Sequence, residues 1–144
     1  MSDLQSKTLT LTATKANLRD TYFSTATMRD LVFSVELSAA ASTGSDFLTV
    51  TIQHSNSDIA NFSTANDNYW ETFYAFTAIA GNATVPYYVS ADMCQAQPVG
   101  TATTNQKRSI GKWCRIKLAF TDASGSASYT GYVRVSWNTA TTTT

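Results

Sequence analysis

Hydrophobic and polar residues alternate along much of the chain, which is the pattern of strands that bury one face. The clearest run extends from Asp30 to Ser38, and its inward positions are Leu31, Phe33, Val35 and Leu37. The same period returns from Phe47 to His54, where the inward positions are Leu48, Val50 and Ile52. A turn-like stretch, Ala39 to Asp46, separates the two runs, so the pattern predicts a β-hairpin.

Two further strands are predicted near the end of the chain. Trp113 to Thr121 and Tyr129 to Asn138 both alternate, with Asp122 to Ser126 between them as a second hairpin loop. The inward positions are Cys114, Ile116, Leu118 and Phe120 in the first, and Val133, Val135 and Trp137 in the second. These two runs are the strongest strand signals in the sequence.

Weaker signals complete the set of predicted strands. Lys7 to Thr14 and Tyr69 to Ile79 read as strands, and Thr84 to Ser90 follows a tight turn at 80–82. Pro86 lacks a backbone N–H group, which predicts an edge strand or a bulge. Periodicity is lost at about 55–68 and 91–109, and these segments are predicted to be long loops.

This pattern predicts an all-β protein. Seven or so strands with long connections favour an antiparallel β-sandwich with jelly-roll topology, although an immunoglobulin-like sandwich fits the same pattern. Residues 1–144 are expected to form one domain, with flexible tails at 1–6 and 139–144. The composition agrees with an all-β fold, because the chain has 24 Thr and β-branched residues favour strands. Together with the 16 Ser, these residues predict a surface rich in hydroxyl groups.

Charge narrows the range of partners. The formal net charge is zero, and no basic run is longer than Lys107-Arg108, so neither a nucleic acid nor a membrane surface is expected to bind. Met1 to Gln5 lack the basic and apolar regions of a signal peptide, which predicts synthesis in the cytoplasm. In that compartment Cys94 and Cys114 are expected to be free thiols rather than a disulfide.

The strand sequences resemble those of small phage virion proteins of the capsid-decoration, or cement, type. The resemblance lies in Leu48–Ser55, Trp70–Phe73, Ile79–Asn82 and the closing segments Lys112–Thr121 and Ser128–Ser136, and it covers about residues 31–137. It implies a non-enzymatic β-sandwich that binds the outer surface of the capsid and stabilises it. It also implies the major capsid protein as partner, and a small homo-oligomer such as a trimer.

No catalytic or metal-binding constellation is predicted. His54 is the single histidine, no G-x-S-x-G or H-E-x-x-H motif occurs, and the two glutamates, Glu36 and Glu71, occupy outward strand positions. His54 is therefore interpreted as a hydrogen-bonded structural residue, and no cofactor is expected. The segment with Asn56, Asp58, Asn66, Asp67 and Asn68 has oxygen ligands of the kind that calcium takes, but not the spacing of an EF-hand loop.

A candidate protein interface follows from the two closing strands. If these strands are adjacent, alternation places five outward residues on one face: Trp113, Arg115, Lys117, Tyr132 and Arg134. Arg, Trp and Tyr are enriched at the centres of protein interfaces. The alternative is an ordinary solvated face, on which the cations pair with Glu36 and Glu71 for little net stability.

A carbohydrate-binding or receptor-recognition module of a phage fibre is the competing function. Its basis is a set of aromatic residues that could stack on sugar rings, namely Tyr69, Trp70, Tyr87, Tyr88 and Trp113. Aromatic residues in strands of a sandwich also serve as core or as covered surface. The two functions differ in what these rings contact.

Overall fold

The computed structural model describes residues 4–11, 18–19, 22–57, 67–92, 97–98, 105–106, 110–125 and 127–139. The strands are β1 (Leu4–Leu11), β2 (Leu18–Arg19), β3 (Phe23–Ser24), β4 (Met28–Ala40), β5 (Phe47–Ser55), β6 (Glu71–Ala75), β7 (Ile79–Ala80), β8 (Tyr87–Asp92), β9 (Gln97–Pro98), β10 (Asn105–Gln106), β11 (Trp113–Thr121) and β12 (Tyr129–Thr139). A 3₁₀ helix, Asp67–Tyr69, precedes β6. Within these ranges no helix has the length and hydropathy needed to cross a membrane.

The main strands form two antiparallel sheets. One has the strand order β1-β12-β4-β8, and the other has the order β2-β11-β5-β6, with β3 also paired to β11 and β7 to β5. Each sheet therefore joins strands that are distant in sequence, which is the arrangement of a double-sheet jelly roll. The predicted all-β antiparallel sandwich is confirmed.

Both predicted hairpins are wrong. β4 pairs with β12 and β8, whereas β5 pairs with β11, β6 and β7, so neighbours in sequence lie in opposite sheets. The same holds for β11 and β12. Alternation fixes which residues of a strand face inward, but it is equally compatible with a connection that crosses from one sheet to the other. The crossings lie between the end of β4 and the start of β5 and between the end of β11 and the start of β12.

One apolar core lies between the two sheets. The inward residues predicted for β4 and β5 are all buried, as are Cys114, Ile116 and Leu118 of β11 and Val133 and Val135 of β12. Phe120 and Trp137 are half-buried and pack against this core. The hydroxyl of Tyr129 donates to the carbonyl of Ile79 at 3.2 Å, which links the two sheets through a buried hydrogen bond.

Several predicted boundaries change. β1 begins at Leu4, inside the segment expected to be a tail, because Leu4 pairs with Asn138 at the far end of β12. The predicted strand over 69–79 is divided among the 3₁₀ helix, β6 and β7. The predicted loop at 91–109 contains a small ladder of β9 and β10. β8 lies at a sheet edge, directly after Pro86, as predicted.

The register of β12 on β4 depends on a close approach at Gly131. A bulge lies between Thr130 and Gly131, and a Cβ atom at Gly131 would stand 1.9 Å from the carbonyl oxygen of Glu36. Only glycine allows the two backbones to come this close. The bulge sets Tyr132 directly opposite Glu36.

Cys114 is a free thiol with no exposed surface, as expected. Burial raises the pKa of this thiol, because the charged thiolate would lose its hydration in the core. Cys94 lies outside the described residues, so its predicted state stays a prediction. A protonated, covered sulfhydryl behaves as a small apolar side chain.

Asp46 connects three chain segments at one end of the sandwich. Its carbonyl accepts a bond from the N–H of Gly81 at 2.8 Å, and its carboxylate accepts bonds from the N–H of Ser124 at 3.0 Å and from the Ser124 hydroxyl. The pKa of Asp46 is lowered to about 2, and the largest cause is the hydrogen bond from the Ser124 hydroxyl. Burial of the carboxylate acts in the opposite direction and raises the pKa, but it is the smaller effect.

We expect Asp46 to make the protein less stable in acid. A carboxyl whose folded-state pKa lies below its unfolded value stabilises the fold above the unfolded pKa, and this contribution disappears as the pH falls through the folded value. The wild-type stability should therefore decrease from about pH 4 towards pH 2. Asp46→Asn should be less stable at neutral pH and should lack this part of the pH dependence. Urea unfolding of both proteins over this pH range measures the difference in stability. The same dependence of the unfolding free energy on pH in both proteins would contradict this role of Asp46.

Candidate functional site

The five residues of the predicted interface lie on two sheets. Trp113, Arg115 and Lys117 belong to β11, whereas Tyr132 and Arg134 belong to β12 of the opposite sheet. The prediction of one continuous face is therefore wrong, because it required β11 and β12 to be adjacent. Lys117 is half-buried and lies between Thr51 of β5 and Arg19 of β2.

Arg115 is buried, although its position in β11 points away from the core. Its side chain has no exposed surface. The Nε–H group donates to Oε1 of Gln53 at 2.7 Å, and the guanidinium carbon lies 4.7 Å from the centre of the Trp70 ring. This geometry combines a charge-assisted hydrogen bond with a cation–π contact.

Three aromatic rings, which we call the aromatic cap, surround this position. They are Tyr22, Trp70 and Trp113, with ring centres 6.1 Å apart for Tyr22–Trp70 and 5.3 Å apart for the edge-to-face pair Tyr22–Trp113. Trp70 is only 6% exposed, and the indole N–H of Trp113 donates to the carbonyl of Ser57 at 3.1 Å. The cap packs over the sheet, so Trp113 and Arg115 have structural contacts.

The predicted sugar platform is also divided. Trp70 is covered in the aromatic cap, while Tyr87 and Tyr88 lie on β8 in the other sheet. Tyr87 pairs with Leu37, a core position, and faces inward, whereas Tyr88 is 65% exposed. The five rings therefore do not form one stacking surface.

The outer side of the β1-β12-β4-β8 sheet presents a different group of residues. We call it the tyrosine face, and it consists of Ser34, Glu36, Tyr88, Ser90, Tyr132 and Arg134. Tyr132, Glu36 and Tyr88 stand in one row across three strands, and Arg134, Ser34 and Ser90 form the next row. Tyr132 is 44% exposed. The strand spacing places the two tyrosine positions about 10 Å apart, on either side of Glu36.

The tyrosine face has the composition of a protein recognition surface. Tyrosine adds large contact area at a low cost in side-chain entropy, and serine hydroxyls adapt as donors or acceptors. Sequence reasoning placed Tyr132 and Arg134 in an interface, but it assigned Tyr88 to a sugar platform and Glu36 to an ion pair. Alternation in β8 could have identified Tyr88 as an outward residue. The sequence does not show that β4 is the neighbour of β8, so it could not place Tyr88 beside Glu36.

A polar cleft of about 330 Å³ opens where β5 ends. We call it the β5 cleft, and its lining residues are His54, Ser55, Asn56, Ser57, Asn68, Tyr69 and Glu71. His54 accepts a hydrogen bond at Nδ1 from the N–H of Gly111 at 2.8 Å, and its ring centre lies 5.1 Å from that of Phe73. His54 is hydrogen-bonded, as predicted. Sequence reasoning identified the segment as a loop with possible function, but not this cleft.

The Asn/Asp-rich segment is only partly described. Asp58 and Asn66 lie outside the described residues, and Oδ1 of Asn56 accepts a bond from the N–H of Lys112 at 3.0 Å. Among the residues that the structure describes, no group of three or more His, Cys, Asp or Glu side chains could hold a metal ion. Of the oxygen ligands considered for calcium, Asn56 and Asn68 both line the β5 cleft, but they belong to no such group in the described part of the chain.

No protein-family model matches the chain, and no curated protein matches it. One similar solved structure comes from Bacillus endospore appendages that form disulfide-linked pili, at 10% identity and TM-score 0.45, covering 99% of this chain and 92% of the other. Another is from desmodium yellow mottle tymovirus, at 11% identity and TM-score 0.45, covering 100% and 91%. At these identities and scores, the jelly-roll assignment rests on the strand order of the chain itself.

Substitution of Arg115 should destabilise the fold. Arg115→Ala removes the donor to Gln53 and the cation over Trp70, and it leaves a cavity under the aromatic cap, so we expect a loss of roughly 2–4 kcal/mol. Arg115→Lys should recover only part of this, because an ammonium group cannot stack as a plane on the indole. Urea unfolding measures the loss, with Arg134→Ala on the exposed face as a control within about 0.5 kcal/mol of wild type. Wild-type stability of Arg115→Ala would contradict the structural role.

Proposed function

We propose that the chain is a non-enzymatic structural protein of a phage virion, which binds the outer surface of the capsid and stabilises it. The partner is the major capsid protein, and the chain acts as a small homo-oligomer. The resemblance of its strand sequences to capsid-decoration proteins supports this, as does the jelly-roll strand order, which is common in viral capsid domains.

The tyrosine face is the observation that carries the proposal. It places two exposed tyrosines and an arginine, residue types enriched at interface centres, on a hydrogen-bonded sheet whose backbone is already ordered. Docking through such a face costs little conformational entropy. Glu36 and Arg134 supply one charge of each sign, which favours a partner surface with complementary charges over one of a single sign.

A decoration protein stabilises a shell because it binds the assembled state and not the free subunits. Binding energy gained across subunit boundaries then shifts the equilibrium towards the intact particle by mass action. Many copies of a small domain are needed to cover the shell. The copy number in purified particles is therefore a direct consequence of this function.

We expect the chain to be abundant in purified phage particles. Quantitative mass spectrometry should find it in a copy number comparable to that of the major capsid protein, since every capsid facet offers equivalent sites. Particles stripped of the protein should lose their contents at a lower temperature than decorated particles. A handful of copies per particle, or none, would contradict decoration of the capsid.

Substitutions on the tyrosine face should weaken attachment and leave the fold intact. Tyr132→Ala, Tyr88→Ala and Arg134→Ala should each lower the affinity for undecorated capsids roughly tenfold or more, since truncated anchors in a buried interface cost well over 1 kcal/mol. Lys117→Ala, on the opposite sheet, is the matched control. Rebinding is measured by co-sedimentation, together with each melting temperature. Wild-type affinity for all three variants would exclude this face as the capsid contact.

A further inference from the structure

The β5 cleft has walls that are fixed before any ligand arrives. The imidazole of His54 is held by the Gly111 N–H group and by Phe73, and Asn56 is held by the Lys112 N–H group. Tyr69 ends the 3₁₀ helix and is followed by Trp70, which is buried in the aromatic cap. A cleft bounded by such anchored residues is pre-organised, and its volume of about 330 Å³ lies within the range of small-molecule sites.

The polar groups of the cleft favour a neutral ligand. Its described lining contains one carboxylate, Glu71, together with amide and hydroxyl side chains, and it contains neither Lys nor Arg. The negative charge of Glu71 disfavours a phosphate or a carboxylate ligand in this lining. Glu71 is the one carboxylate among the described lining residues, whereas a calcium ion takes several oxygen ligands and commonly more than one carboxylate.

A saccharide supplies the chemistry that this lining can recognise. Neighbouring hydroxyl groups of a sugar can both donate to one carboxylate, and Glu71 is an exposed residue at the cleft. The amides of Asn56 and Asn68 offer donors and acceptors for further hydroxyls. The ring of Tyr69 gives an aromatic surface for the apolar C–H face of the sugar ring.

We propose that the β5 cleft binds an uncharged saccharide, with Glu71 as the main hydroxyl acceptor and Tyr69 as the stacking residue. The cleft lies between the end of β5 and the start of β6, whereas the tyrosine face belongs to the other sheet. The two sites can therefore act independently, so that the chain would hold a glycan while its other sheet contacts a protein. The proposal does not depend on the capsid role, and either can fail alone.

The test uses the full chain labelled with ¹⁵N and a panel of neutral sugars, namely glucose, galactose, mannose and N-acetylglucosamine, each at millimolar concentration. At least one sugar should shift the backbone amide signals of 54–57 and 68–71 in a saturable manner. The signals of β8 and β12 should not move. Glucuronic acid and inorganic phosphate are the charged controls, and both should leave the spectrum unchanged.

Two variants locate the binding energy in the cleft. Glu71→Gln removes the negative charge and keeps the size, and Tyr69→Ala removes the ring, so each should weaken the binding of the responsive sugar roughly tenfold. Glu36→Gln on the tyrosine face is the matched control and should bind as wild type. No saturable shift with any neutral sugar, or unchanged affinity in both cleft variants, would overturn the proposal. Amide shifts confined to other strands would overturn it as well.

Discussion

The mutual burial of the two inner sheet faces is the interaction on which the rest of the structure depends. β4, β5, β11 and β12 each have one apolar side, and neither sheet can cover its own apolar side, so β4 and β12 pack against β5 and β11 around one core. Neighbours in sequence lie in opposite sheets, so the chain must cross the edge of the sandwich. Asp46 bonds to Gly81 and Ser124 where these crossings meet, which fixes the end of the sandwich.

The two outer sheet faces are used in different ways. Over the β2-β11-β5-β6 sheet, the aromatic cap covers Arg115, and its charge is satisfied inside the protein by Gln53 and Trp70. Over the β1-β12-β4-β8 sheet, the row that contains Tyr132, Glu36 and Tyr88 stays exposed. The same outward alternation thus gives a buried residue on one sheet and exposed residues on the other. What decides between them is whether another part of the chain packs over the strand.

The proposed sites both arise where regular pairing is interrupted. A bulge at Gly131 sets the register that aligns Tyr132 with Glu36 and Tyr88. A second irregularity, between Ile52 and Gln53 of β5, changes the pairing with β6 shortly before the strand ends at the β5 cleft. Bulges re-aim side chains and are common next to functional sites. Alternation within a strand therefore selects its outward residues, and these irregularities decide which of them meet across strands at the two proposed sites.

The sequence by itself determined the fold class, the inward positions of β4, β5, β11 and β12 and the edge position of β8, because each follows from local periodicity or from the missing N–H of Pro86. It did not determine which strands are neighbours, since alternation carries no information about partners far away in the chain. The hairpin prediction failed for that reason, and with it the single face through Arg115 and Arg134. Only the tertiary structure buried Arg115 and brought Tyr88 beside Glu36, because long-range packing and register decide which outward residues meet each other and which meet solvent.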